Sequence, residues 1–191
     1  MSTMKRLSIL FTSSIILFVV LLSPALAKVT PAPTATPTPS PAPTPAAVDS
    51  YVLFWPLVAG KTPDDPLYAL KKIKEKIQGI LIFDDAKKAE YEIVLATKRL
   101  LEAEKLLKNG KQNLAASALE NVKESLNEAL EQVSDTSKDS KSVSKVKEEL
   151  KNKLSNISLF IPQLKTGTEE KISLVLNEID KQVKTLQEKL Q

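Results

Sequence analysis

The chain has 191 residues, with 27 Lys and Arg against 23 Asp and Glu, a formal charge of +4, and neither cysteine nor histidine. Both methionines, Met1 and Met4, fall within the first four residues. These absences exclude disulfides, thiolate and imidazole nucleophiles, Ser-His-Asp catalysis and ordinary haem or soft-metal ligation.

Lys5 and Arg6 precede an apolar run from Leu7 to Leu22, and Ser23-Pro24-Ala25-Leu26-Ala27 follows. A basic start, a short apolar stretch and a small-x-small ending predict a secretory signal peptide over residues 1–27, cut between Ala27 and Lys28, with Ala25 and Ala27 as the small residues that the peptidase reads. A retained anchor is the alternative, but the run is short against the roughly 20 residues that span a bilayer. Without residues 1–27 the chain keeps 25 basic and 23 acidic residues, a net +2. That small, dispersed excess argues against a nucleic-acid partner, and the expected location is extracytoplasmic, secreted or at the cell surface, with no membrane span after cleavage.

Residues 28–47 form a linker. Thr30 to Ala47 holds seven prolines alternating with Thr, Ala and Ser. Proline fixes its own φ and pushes the preceding residue out of the α region, so this stretch predicts extended polyproline II, roughly 55 Å long at about 3.1 Å per residue. It reads either as a spacer from a surface or as a disordered tail.

From Asp64 onward the apolar spacing is helical. Asp65 and Pro66 predict a helix start, with Leu67, Leu70, Ile73, Ile77 and Ile80 on one face. Asp84 or Asp85 caps a second helix carrying Ala86, Ala89, Ile93, Ala96, Leu100, Ala103 and Leu107, closed at Asn109-Gly110. A third, from Lys111 to Val133, repeats the pattern with Ala115, Leu119, Val122, Leu126 and Ala129, and forms an antiparallel hairpin with the second. The polar link Ser134–Lys141 follows. A fourth helix carries Val143, Val146, Leu150, Leu154 and Ile157 and is expected to stop before Pro162. A fifth starts near Thr168-Glu169-Glu170 and shows Ile172, Leu176, Ile179, Val183, Leu186 and Leu190. The predicted class is all-α: an antiparallel bundle of about five helices, with a helical domain over 48–133 and a C-terminal hairpin over 142–191 that either docks on it or stands apart.

Several segments carry a resemblance. They are Tyr51-Val52-Leu53-Phe54-Trp55-Pro56, Pro63-Asp64-Asp65-Pro66-Leu67-Tyr68-Ala69-Leu70-Lys71, the Phe83–Glu90 element, and Lys98–Glu104 leading to Asn109-Gly110-Lys111. In this order they resemble a family known only as a domain of unknown function, number 5667, over about residues 51–133. The resemblance implies an exported bacterial protein and assigns no catalytic residue. One departure is Leu57-Val58-Ala59, where family members usually show a second proline before the glycine.

Candidate functional residues are few. Tyr51, Phe54, Trp55 and Tyr68 either cover one end of the bundle or offer a docking patch to a partner. Glu120, Glu124 and Glu128 make an acidic stripe at helical spacing, read as a solvated face, with a hard-cation site as the less favoured alternative. Asn156-Ile157-Ser158 matches a glycosylation acceptor by chance. No catalytic constellation and no cofactor motif is legible, so the expected protein is no enzyme. It is expected to be an exported helical interaction module that binds an envelope protein or polymer. The alternatives are a self-assembling bundle, in which homo-oligomers form through the last two helices, and a divalent-cation-binding domain.

Overall fold

The computed structural model describes residues 48–135 and 141–191. The expected signal peptide, with Ala25, Ala27 and Lys28, and the linker to residue 47 lie outside them, as does most of the polar link.

Among the described residues there are six helices and no strand. Helix α1 (Ser50–Phe54) is a single short turn that the sequence pattern did not reveal. The Asp49 carboxylate starts it by accepting a hydrogen bond from the Tyr51 amide at 2.9 Å. Helix α2 (Tyr68–Ile80) begins two residues beyond the expected Pro66 start. Asp65 does not cap it. Its carboxylate accepts from the Leu67 amide at 2.8 Å and from Lys61 at 2.8 Å, closing the turn that precedes the helix.

Helix α3 (Asp85–Lys108) is capped by Asp84, which accepts from the Lys87 amide at 2.8 Å. The chain then reverses at Gly110, whose φ of 71° suits glycine. Its amide and that of Lys111 reach back to the Leu107 and Leu106 carbonyls at 2.9 and 2.8 Å, satisfying the helix end. Helix α4 (Gln112–Asp135) returns along α3. Buried alanines on both, among them Ala89, Ala96, Ala103, Ala115, Ala118 and Ala129, let the two backbones lie close.

Helices α5 (Lys141–Lys165) and α6 (Glu170–Lys189) complete the bundle. α5 packs on α3, and α6 packs on α4 and α5. Of the two arrangements left open by the sequence, the C-terminal hairpin is therefore the docked one, sharing a single core with α3 and α4. Leu150, Leu154, Ile157, Phe160 and Ile161 of α5 and Ile172, Leu176, Ile179, Val183 and Leu186 of α6 are buried there.

α5 does not stop before Pro162. It continues to Lys165 with the proline inside it, on an exposed position. An interior proline costs a helix about 3 kcal/mol. Here the flanking Phe160, Ile161 and Leu164 are all buried, and removing them from water outweighs that cost at about 1.5–3 kcal/mol each.

Candidate functional site

Helix α2 stands apart from this core. Its only buried residue is Glu75. Tyr68, Lys71, Glu75 and Gly79, spaced three, four and four apart, share the face turned towards the bundle. Glu75 forms an ion pair with Arg99 of α3, and Lys71 forms one with Glu102 of α3. Arg99 joins the two by donating from Nη1 to Glu102 Oε1 at 2.5 Å. The Tyr68 hydroxyl donates to Glu102 Oε2 at 3.0 Å. Burial and the neighbouring Glu102 carboxylate raise its pKa and keep it protonated.

Lys71 also fastens the lead-in loop, donating to the Ala59 and Lys61 carbonyls at 2.9 and 3.0 Å. Two cations and two anions thus form one neutral, largely desolvated network. Beside it, Lys111 grips Asp64 at 2.5 Å, and that hydrogen bond holds the Asp64 carboxyl down at about 2. Gly79 lets α2 approach α3, because a Cβ there would sit 3.3 Å from the Tyr91 ring. Tyr91 in turn donates to the Glu75 carbonyl at 2.7 Å, and burial pushes its hydroxyl up to about 12.

The outer face of α2 is the apolar one. Leu70, Ile73, Ile77 and Ile80 recur at three, four and three residues, opposite Glu75, and each is more than half exposed. Leu67 precedes the stripe at 53% exposure, and Leu81 and Phe83 extend it, Phe83 at 90%. Of Leu67, Tyr68 and Leu70, only Tyr68 turns towards the bundle. The ion network holds the polar side of α2 inward, and the apolar side is left facing water.

Along one edge of α2 runs an open cleft of about 570 Å3, walled by α3 and α4. Glu92 of α3 is buried there. Burial, reinforced by the Glu128 carboxyl of α4, pushes its pKa up to about 7. The acidic stripe is divided: Glu120 pairs with Lys123 at 3.1 Å, while Glu124 and Glu128 line the cleft with Glu92. Among the described residues no three metal-ligating side chains cluster, and no helix is long and apolar enough to cross a membrane.

The candidate contact residues separate. Phe54 is buried, its ring edge-to-face with Phe160 at 5.3 Å. Tyr51 and Trp55 stay exposed, ring to ring at 4.9 Å. Tyr68 belongs to the ion network on the inner side. Asn156 is engaged with the Leu53 carbonyl at 3.0 Å. Sequence reasoning missed the network itself, although Tyr68, Lys71 and Glu75 repeat at the same three-and-four spacing as the apolar stripe behind them.

Most of the residues that meet at this interface come from two of the segments that carry the resemblance, Asp64, Tyr68 and Lys71 from the second and Arg99, Glu102 and Lys111 from the fourth, while Glu75 lies between them. No curated protein and no solved structure matches the chain. The family model described as Domain of unknown function (DUF5667) matches residues 60–157, just over half of the chain, from the lead-in loop through α4 and into α5. The match begins later than the expected residue 51 and ends beyond the expected 133, and it takes in α2 and every residue of its ion network, so the chain belongs to the DUF5667 family.

Proposed function

We propose that the protein is an exported helical interaction module of the bacterial envelope, working by binding and not by catalysis. The observation that supports this reading is the outward apolar face of α2. A helix of a folded domain normally turns such a face inward. Here a desolvated ion network holds it the other way round, at the cost of leaving Leu70, Ile73, Ile77 and Ile80 in water. Contiguous apolar surface held open in this manner marks a contact site.

The self-assembly alternative, through the last two helices, would need a different face, because the apolar sides of α5 and α6 are buried within the chain itself.

The test is binding of the purified protein to isolated envelopes of its source organism, with Ile73→Asp/Ile77→Asp as the paired variant. Saturable binding that the variant loses supports the reading; equal or absent binding by both proteins overturns it. Repeating the assay on protease-treated envelopes separates a protein partner from a lipid or glycan.

A further inference from the structure

Resting on that interaction-module reading, we propose that the partner of α2 is an anionic phospholipid surface, on which the helix lies flat with its apolar stripe sunk into the headgroup–acyl boundary. Three observations carry this. The stripe of Leu70, Ile73, Ile77 and Ile80 lies on the side of α2 opposite Glu75, with Ile73 and Ile80 also bordering the cleft, and each residue is more than half exposed, so a flat surface can reach it.

The helix is also basic where it is free. Its one acidic residue, Glu75, is buried against Arg99, while Lys74 and Lys76 are exposed and form no ion pair among the described residues; Lys72 turns to the cleft, where it donates to Asn121 Oδ1 of α4 at 3.4 Å. At 100° per residue, Lys74 and Lys76 border the stripe on its two sides, the arrangement of an interfacial helix whose lysines meet lipid phosphates as its apolar face enters. Finally, the same charges oppose a second copy. Two α2 helices face to face would set lysine against lysine with no exposed carboxylate on either. Glu124, on the far wall of the cleft, repels anionic headgroups and confines the contact to the outer side of α2.

The test uses residues 28–191, since every core residue lies beyond residue 48 and the apolar run Leu7–Leu22 would otherwise bind lipid itself. Sedimentation with vesicles of phosphatidylcholine alone, and of phosphatidylcholine with phosphatidylglycerol, reads the affinity. Binding to the anionic vesicles is expected, with little to the neutral ones. Lys74→Gln/Lys76→Gln should weaken it about 25-fold, at about fivefold for each lysine near the surface. Ile73→Asp/Ile77→Asp should weaken it by about a hundredfold or more.

Both variants alter exposed residues, and helical circular dichroism checks that each is folded. The lysine variant keeps the test open if the aspartates disturb α2. No binding to anionic vesicles overturns the lipid proposal and leaves the module reading standing if envelopes are still bound. Undiminished vesicle binding by both variants overturns it too, and so does an affinity that ignores the phosphatidylglycerol content. Dimerisation abolished by Ile73→Asp/Ile77→Asp, without lipid binding, would assign the face to a second copy instead.

Discussion

Arg99→Met keeps most of the aliphatic stem of the side chain and removes the cation that joins α2 to α3. Arg99, Glu75 and Glu102 are 4%, 6% and 0% exposed, so water cannot replace the guanidinium without moving the helix. Glu102 retains Lys71 and Tyr68 as partners, whereas Glu75 loses the cation it is paired with. Breaking a buried pair from one side costs about 3–5 kcal/mol. Because α2 gives nothing to the apolar core, most of that cost should appear as release of α2 and not as collapse of the bundle.

Two assays are needed. Hydrogen exchange should lose protection across Tyr68–Ile80, while α3, α4, α5 and α6 keep theirs. Urea unfolding followed by circular dichroism should then show a smaller loss than the local one. Adding Glu75→Leu removes the stranded carboxylate and should recover about 2 kcal/mol. Unchanged exchange in α2, with a stability loss under about 1 kcal/mol, would refute the view that the network holds the helix.

Three further outcomes follow from individual residues. Folded Glu92 keeps its proton up to about pH 7 against an ordinary 4.5. Its contribution is therefore complete below the lower value and is lost as pH rises between the two, by about 2 kcal/mol once screening by water in the open cleft is allowed for. Glu92→Gln should flatten that slope in thermal melts at about pH 4.5 and about pH 7.5. Gly110→Ala should cost about 1 kcal/mol in urea unfolding through its φ of 71° alone, since nothing lies within 4 Å of an added Cβ. Pro162→Ala should raise the unfolding free energy in urea by about 1–3 kcal/mol, because the residue is exposed inside α5 and an amide there can bond the Ser158 carbonyl.

The bundle was readable because the seams of α3, α4, α5 and α6 repeat at three and four residues with little interruption, and each seam is buried as its spacing implies. α2 shows what such a pattern leaves open. Its spacing separates an apolar side from a polar one but says nothing about which side meets the bundle. That depends on Arg99 and Glu102, some thirty residues away, and on their being buried. Pro162 failed as a stop signal for a related reason: the local penalty was legible, while the burial of Phe160, Ile161 and Leu164 that outweighs it is a property of the assembled core. The candidate site was half visible. Tyr51 and Trp55 emerged as exposed aromatics, yet the larger apolar surface lies on a helix whose pattern resembles that of an ordinary core helix.

Trp55, the single tryptophan of the chain, is 65% exposed and leans its ring on Tyr51, outside the helical core. Indole emission therefore watches the lead-in segment and is nearly blind to the bundle. A melt followed by fluorescence and one followed by amide circular dichroism should part company even when the core unfolds in one cooperative step, a divergence easily mistaken for an intermediate. The same placement makes Trp55 an intrinsic gauge of whatever approaches the lead-in, with no label required.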